Sequence, residues 1–297
     1  MYAIRKTDLK TFTPNARSVC GIMDGSTNAY LRENRAIEEF LKTIEPKYNT
    51  ALEKLTVGKI DSECIYTIAG FVAYVVTCSP AGMRIPSGPL KSAVETEATM
   101  AEAQGLLPTP PPELGNESLT ELLRDGAVQV TIDSKYPQAI GIDSILKFVA
   151  LFGNFAWEIL HNESSSSPFF TSDFPAAIEK TDDPHILNRI VPLAPNIALR
   201  IKPNPMLDRD RLDCSFTNFG YRKRTVSYEE LTKLNTLIVR CAEDTVFYRD
   251  DHPWVLTFVE KNRHYRIEPH TRRIKTPTGT LLVSTQRIVA SPPSLEK

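Results

Sequence analysis

The stretch from Cys64 to Met83 contains twenty residues without a single charge. A run of that length can cross a bilayer as a helix, so the chain must bury it either in a membrane or in a protein core. Its flanks carry no Lys/Arg cluster, and no second span balances it. Polar, small and helix-breaking residues dilute its hydrophobicity: Tyr66, Thr67, Gly70, Tyr74, Thr77, Ser79, Pro80 and Gly82. The sequence therefore predicts a buried central helix at about 62–78, capped by Asp61 and ended or bent at Ser79-Pro80, and no membrane association.

The composition is typical of a folded protein. Charged residues make up 24% of the 297 residues and apolar ones 41%, which excludes disorder and a collagen-like chain. The chain has 35 Lys and Arg against 36 Asp and Glu, so its formal charge of -1 argues against a polyanion binder that uses its whole surface. Proline is frequent and glycine scarce, at 22 and 13 residues, so few positions let the backbone approach a phosphate closely.

The cysteines and the first residues indicate a cytoplasmic location. Five Cys, an odd number, are widely spaced and form no Cys-x-x-Cys pair, so we expect reduced, buried thiols. The first six residues include Arg5 and Lys6 where a signal peptide would need an apolar segment.

Apolar spacing predicts three further helices. A 3.6-residue stripe runs from Ile37 to Leu55, with Asn34 as the N-cap and with Pro46 either kinking or splitting the helix. A second helix is predicted at about 138–161, and a third at about 228–248.

Strand signals come mainly late in the chain. Short β-prone runs occur at 169–171, 189–191 and 197–201, and residues 263–287 resemble two strands that turn at Thr278-Gly279. A hairpin of 2–4 with 18–23 is also predicted. We therefore expect a single α+β domain over 1–297, helix-rich at 31–163 and strand-rich at 168–290. A proline-rich connection lies at about 105–115, after an acidic surface helix around 95–103, and a frayed tail at 290–297.

No familiar catalytic motif is present. The sequence has no dinucleotide-binding glycine fingerprint, P-loop, zinc-protease motif or nucleophile elbow. The five His are scattered without metal-ligand spacing, so the sequence leaves metal and cofactor unspecified.

Two charged residues adjoin apolar segments and have two interpretations each. Glu45 lies beside the apolar stripe, where burial would raise its pKa, or it is a boundary carboxylate paired with Lys42 or Lys47. Arg84 is the first charge after the uncharged run. It can hold a carboxylate or phosphate, or it can interact with the dipole at the end of the preceding helix.

Thr171-Ser172-Asp173 follows the predicted strand that contains Phe169 and Phe170. A strand that ends in hydroxyls and a carboxylate presents them where site residues are common. The alternative is a local turn in which Ser172 and Asp173 bond the backbone. No His nearby in sequence could activate Ser172.

A basic segment runs from Lys261 to Lys275. It contains Arg263 and Arg266 with Tyr265 between them, which suits phosphate contacts and base stacking, so a nucleic acid or a protein partner could bind there. An edge strand protected by charge is the alternative.

Several of these segments, in this order, resemble a bacterial family of unknown function, family 4238. The resemblance covers roughly residues 1–250 and is carried by Ala36-Ile37-Glu38-Glu39, Ile44-Glu45, Arg84-Ile85-Pro86, Phe170 to Pro175, Val191 to Pro195 and Leu234-Asn235. It implies functional positions at Glu45, Arg84, Thr171, Ser172, Asp173 and Asn235, but it implies no activity. Members of that family usually begin with a His-His-Tyr-Val-Pro-like stretch, and nothing like it precedes Tyr2 here.

Two functions follow as hypotheses. One is a hydrolase or nuclease-like enzyme for a phosphate-containing substrate, with Glu45 and Asp173 as general base or metal ligands and Arg84 on an anionic oxygen. It requires that these three side chains share a cleft. The other is a non-enzymatic interaction or nucleic-acid-binding protein, in which the same polar residues form a buried structural network.

Overall fold

The computed structural model describes residues 1–15, 27–108, 112–115, 117–164, 166–277 and 279–291. The predicted strand at 18–23 and most of the predicted tail lie outside these ranges, as does Thr278 of the predicted turn.

Helices fill the first half of the described chain and recur near its end. They are α1 Ala36–Ile44, α2 Tyr48–Val57, α3 Ser62–Cys78, α4 Pro80–Ala103, α5 Leu119–Arg124, α6 Lys135–Asp143, α7 Ile145–Gly153, α8 Tyr228–Cys241 and α9 Pro253–Asn262. Short 3-10 turns lie at Glu45–Lys47, Pro112–Leu114 and Arg209–Arg211.

The predicted central helix is confirmed as α3. Asp61 accepts a hydrogen bond from the Cys64 N–H at 2.8 Å at its start, and Ser79 ends it. Ile68, Ala69 and Val72 are fully buried, as expected for a helix that is apolar on all sides.

The proline predictions have mixed outcomes. Pro46 splits the first stripe into α1 and α2 through a 3-10 turn, which is one of the two expected results. The predicted N-cap Asn34 is wrong, because α1 begins one residue later, after Arg35, without a side-chain cap. Pro86 and Pro89 lie inside α4, so the predicted acidic helix in fact begins at Pro80.

The strands form three separate sheets. They are β1 Tyr2–Arg5, β2 Thr11–Phe12, β3 Ala156–His161, β4 Thr171–Ser172, β5 Ala177–Lys180, β6 Leu187–Ala194, β7 Ile197–Lys202, β8 Gly220–Thr225, β9 Thr245–Tyr248, β10 Tyr265–Thr276 and β11 Gly279–Ala290. One sheet has the order β5-β6-β7-β3-β8, with only the β3–β8 pair parallel, and the second has the order β2-β1-β9-β4. Strands β10 and β11 form a two-stranded ribbon, and the α+β prediction is confirmed.

Two predicted helices are too long. The single helix predicted at 138–161 is two helices, α6 and α7, which meet at Ser144, and α7 ends at Gly153. Strand β3 follows, because Trp157 and Ile159 bury one face of the strand while Leu160 buries the other. The helix predicted at 228–248 ends at Cys241 and is followed by β9. An apolar run of four to six residues is compatible with a helix or a strand. Residues 156–161 form a strand because they pair with β7, and residues 245–248 form one because they pair with β1.

Two hydrophobic cores cover the two faces of the five-stranded sheet. One lies between the sheet and helices α1–α3 and α7, and it contains Trp157, whose indole N–H donates to the Phe152 carbonyl at 2.8 Å. The other lies between the sheet, α8 and the four-stranded sheet, and it contains Phe170 and Phe174. Full burial of each of these three aromatic side chains contributes about 2–3 kcal/mol.

No single helix in the described part of the chain is long and apolar enough to cross a membrane. Only Ala36–Val57 and Ser62–Cys78 taken together reach that length and composition, across a bend of 115°.

Candidate functional site: a polar cluster and an aromatic pocket

The Asp173 carboxylate follows β4 and binds the chain where α8 leads into β9. It accepts hydrogen bonds from the backbone N–H groups of Glu243, Asp244 and Thr245 at 2.9, 2.8 and 2.9 Å. Burial raises the pKa of this carboxyl, and the three donors and the Lys6 ammonium oppose that shift. Three of its roughly four lone-pair positions are therefore used by the protein's own backbone.

Arg84 lies in the second turn of α4 and joins that helix to two distant segments. Its Nε and one terminal nitrogen donate to the Glu243 carboxylate at 2.5 and 2.8 Å, and the other terminal nitrogen donates to Glu268 at 3.0 Å. A fourth bond, of 2.8 Å, reaches the Ile267 carbonyl. The predicted bidentate contact thus goes to protein carboxylates. The helix-dipole interpretation is wrong, because Arg84 is near the start of α4 and not at the end of α3.

Lys6 completes this group, and we call Lys6, Arg84, Asp173, Glu243 and Glu268 the polar cluster. The Lys6 ammonium is buried and donates to the carbonyls of Ala242 and Tyr265 at 2.6 and 2.7 Å. Burial lowers its pKa to about 8, although neighbouring carboxylates, Asp173 first among them, act in the opposite direction. The cluster therefore connects β1, α4, β4, α8 and the start of β10.

Ser172 and Asn235, two further candidate residues near the polar cluster, also form hydrogen bonds to the backbone. The Ser172 hydroxyl accepts from the Phe174 N–H at 3.2 Å, which is the local turn considered above. Asn235, buried on α8, accepts from the Phe170 N–H and donates to the Pro168 carbonyl, both at 3.0 Å. These bonds hold α8 against the segment that leads into β4.

Glu45 is not part of the polar cluster. It is exposed in the 3-10 turn between α1 and α2, so the inward orientation, one of its two interpretations, is wrong. The lysines suggested as its partners, Lys42 and Lys47, pair with Glu39 and Glu63. Since Arg84 and Asp173 both contact Glu243 while Glu45 is in solvent, the structure brings together two of the three predicted catalytic residues.

Arg263 and Arg266, the two candidate binding residues of the basic segment, have protein partners as well. Arg263 donates to the carbonyls of Lys6 and Thr7 at 3.3 and 3.1 Å, and Arg266 forms an ion pair with Glu268. Arg263 thus ties the start of the ribbon to the turn after β1.

A second buried group of charges lies on the five-stranded sheet. Glu158 on β3 is 2% exposed and pairs with Arg200 at 2.7 Å, and also with Lys202 and Arg222. Burial works against its ionisation, but the hydrogen bonds from Lys202, Arg200 and Arg222 outweigh burial and lower the pKa of this carboxyl to about 2. Sequence reasoning missed this group because Glu158 fell in a predicted helix.

A cavity of about 330 Å³ opens where β4, β9, the end of β6 and the start of α2 meet. Its lining is mostly aromatic or apolar, and Arg249 is the only charged side chain among the described residues that form it. The lining residues are Met1, Tyr48, Phe71, Phe169, Phe170, Thr171, Pro192, Leu193, Ala194, Pro195, Phe247, Tyr248 and Arg249. We call this cavity the aromatic pocket.

Three polar side chains of the aromatic pocket, Tyr48, Arg249 and Thr171, can form hydrogen bonds to a ligand. Burial raises the pKa of Tyr48 to about 12, so its hydroxyl stays protonated, and it lies 3.4 Å from the Leu193 carbonyl to which it donates. The Arg249 side chain is 43% exposed and pairs with Asp250 at 2.5 Å. Thr171 adds a hydroxyl at the edge of β4.

A second cavity, of about 300 Å³, lies between α3, α4, α6 and α7. No charged side chain occurs among the described residues that line it, and its polar side chains are Thr77 and Ser144. The Thr77 hydroxyl is buried and has no hydrogen-bond partner within the described structure. Metal ligands are also missing, since the described ranges contain no group of three or more His, Cys, Asp or Glu that could hold an ion.

Residues 1–252 match the model of a protein family described as "Protein of unknown function (DUF4238)". The chain belongs to this DUF4238 family. No curated protein and no solved structure matches it.

Three of the six segments through which this DUF4238 protein resembles its family contribute to the two sites. Arg84 and Asp173 belong to the polar cluster, whereas Phe170-Thr171 and the run from Pro192 to Pro195 line the aromatic pocket. Tyr48 was visible in the sequence only as part of an apolar stripe, and Arg249 came one residue after a predicted helix, so sequence reasoning missed both as pocket residues.

Proposed function

We propose that this DUF4238 protein binds a small ligand with a planar apolar body and one anionic group, and that the aromatic pocket is the binding site. The observation that carries the proposal is the pocket's lining, in which one arginine stands at the edge of an aromatic cavity. A volume of about 330 Å³ is within the usual range of ligand pockets.

The chemistry of the lining supports this class of ligand. Tyr48 and Phe71 are half-buried and offer aromatic surface for a flat body. The guanidinium of Arg249 can bind a carboxylate or a phosphate by two parallel hydrogen bonds. Asp250, one of the partners of Arg249, is 40% exposed, so a ligand anion can replace this ion pair at small cost.

The hydrolase hypothesis has less support from the geometry. Asp173 already accepts three backbone hydrogen bonds, the Arg84 guanidinium holds two carboxylates, and Glu45 is exposed elsewhere. No carboxylate, imidazole or thiol occurs among the described lining residues of the aromatic pocket, so it has no general base. We therefore infer that the polar cluster is structural and that a phosphate-containing molecule, if it binds, is a ligand and not a substrate.

The test measures melting temperature with and without ligand. Nucleoside 5′-monophosphates and aromatic carboxylates are the probes, with the matching uncharged nucleosides beside them. At 100-fold excess over Kd the anionic probe should add about 2.7 kcal/mol of stability, which for a chain of this size is a rise of roughly 5 °C.

Two arginine variants locate the effect. Arg249→Gln should weaken binding about 10- to 100-fold, because a charge-assisted bond is lost. Arg211→Gln is the matched control, since Arg211 also has a local acidic partner, Asp208, and does not line the pocket. Equal binding by the two variants, or no stabilisation of the wild type by any probe, would refute the proposal. Multiple-turnover release of phosphate would restore the hydrolase hypothesis.

A bacterial origin and a cytoplasmic location are proposed with this function. Four cysteines of the described residues, Cys64, Cys78, Cys214 and Cys241, are free thiols, which agrees with a reducing compartment.

A further inference from the structure

The β10–β11 ribbon is a long two-stranded arm. Each strand has twelve residues, and the antiparallel register runs without a break from Tyr265 opposite Ala290 to Thr276 opposite Gly279. No third strand pairs with either of them in the described sheets. At about 3.4 Å per residue, the arm is roughly 40 Å long.

The base of the ribbon is anchored and its far end is exposed. Ile267 is fully buried in the core, Pro269 packs against Gly88 of α4, and Arg273 pairs with Glu95 of the same helix at 3.1 Å. Beyond these contacts, the opposed pair Ile274 and Leu281 is 46% and 52% exposed. The helix therefore holds the ribbon in place while leaving its far end accessible.

The ribbon is strongly basic in a chain whose formal charge is -1. Between residues 265 and 290 the cations are Arg266, Arg272, Arg273, Lys275 and Arg287, and Glu268 is the one anion. Arg266 pairs with Glu268 and Arg273 with Glu95. No carboxylate among the described residues pairs with Arg272, Lys275 or Arg287.

The register places two of these cations on one face with the apolar pair. Residues 268, 270, 272 and 274 alternate onto one face, opposite 287, 285, 283 and 281. Arg272, Arg287, Ile274 and Leu281 therefore share that face, and His270 lies between the two arginines. Glu268 also lies on this face, where its carboxylate pairs with Arg84 and Arg266. The positive charge of Arg287, followed by slight burial and by Arg272, lowers the pKa of His270, as expected in a positive local potential.

We propose that this face of the ribbon binds duplex DNA by entering the major groove. The groove is about 12 Å wide and admits a two-stranded β-ribbon, whose strands are about 4.8 Å apart. Arg272 and Arg287 contact phosphates, and the apolar pair Ile274 and Leu281 lies against thymine methyl groups. This surface is separate from the aromatic pocket and does not depend on the function proposed for it.

The test is fluorescence anisotropy with a labelled DNA duplex of roughly two helical turns, measured over a series of salt concentrations. Two phosphate contacts predict a slope of log K against log salt of about -1.8. The Arg272→Gln/Arg287→Gln double variant should bind at least tenfold more weakly, and its slope should be less steep by about 1.8. Both side chains are exposed, so the melting temperature should stay unchanged.

Arg209→Gln/Arg211→Gln is the matched control, because it removes two surface charges from the 3-10 turn before β8. It should bind like the wild type. Equal losses in the two double variants, or no binding by the wild type at low salt, would overturn the proposal. A third result would also overturn it: a wild-type protein that does not bind DNA and that sediments as a dimer, which Ile274→Ser/Leu281→Ser disrupts. The ribbon would then bind a second copy of the chain.

Discussion

Replacing Asp173 by Asn tests whether the polar cluster stabilises the fold. Asn has nearly the same shape, but its amide group replaces one acceptor oxygen by a donor. In the folded protein one carboxylate oxygen accepts from Glu243, and the other accepts from Asp244 and Thr245. Whichever way the Asn side chain is oriented, at least one buried N–H then faces another donor.

The cost can be worked out from these contacts. A hydrogen bond to a charged group contributes about 1.5–3 kcal/mol, and an unsatisfied buried N–H costs about 1–3 kcal/mol. The Lys6 ammonium also loses the Asp173 carboxylate, the neighbouring charge that favours its protonated form most. Burial of a neutral amide costs less than burial of the carboxylate, whose pKa burial raises, and this offsets part of the loss. Together these effects predict that Asp173→Asn lowers the free energy of unfolding by about 2–4 kcal/mol.

Urea denaturation at pH 7, followed by circular dichroism, measures this loss directly. Asp182→Asn is the control, because Asp182 is exposed after β5 and its substitution should change stability by less than about 0.5 kcal/mol. If Asp173→Asn unfolds within about 1 kcal/mol of the wild type, the structural role of the cluster is wrong.

Two further predictions concern pH. Glu158→Gln should cost about 3 kcal/mol at pH 7, because the pKa of Glu158 falls from 4.5 to about 2 on folding. That contribution is present above pH 4.5 and is lost as the pH falls toward 2, so urea curves of wild type and variant should converge there; a constant difference would contradict the linkage. Lys6→Met tests a group whose charge destabilises the fold. The pKa of Lys6 is about 8 in the folded protein and 10.5 ordinarily, so its positive charge lowers the free energy of unfolding below pH 8. The wild type should gain about 2 kcal/mol relative to Lys6→Met between pH 7 and pH 10, and a loss over that range would show that the sign is wrong.

The helices with local signals were predictable from sequence. Helix α3 has an apolar surface on all sides, an N-cap at Asp61 and a stop at Ser79-Pro80, and each of these signals acts within a few residues. Strand β3 has no such local mark. Its run of apolar residues fits a helix or a strand, and pairing with β7, about forty residues later, makes it a strand.

The candidate site shows the same division. Asp173 could be singled out because it follows a strand, but its hydrogen-bond donors lie 70 to 72 residues further along the chain. The Glu158–Arg200 pair depends on strand register, and Arg249 enters the aromatic pocket only because β9 pairs with β1 and β4. No spacing in the sequence marks such long-range contacts.

Fluorine NMR of the protein labelled with 3-fluorotyrosine locates the ligand most directly. The chain has ten tyrosines, of which Tyr48 and Tyr248 line the aromatic pocket, and single Tyr→Phe variants assign their signals. Tyr228, 73% exposed at the start of α8, is the internal control. Saturation with the nucleoside monophosphate or aromatic carboxylate that stabilises the protein most should shift the Tyr48 and Tyr248 signals and leave Tyr228 unchanged. Shifts confined to tyrosines outside the pocket, or no shift at all, would contradict binding at this site.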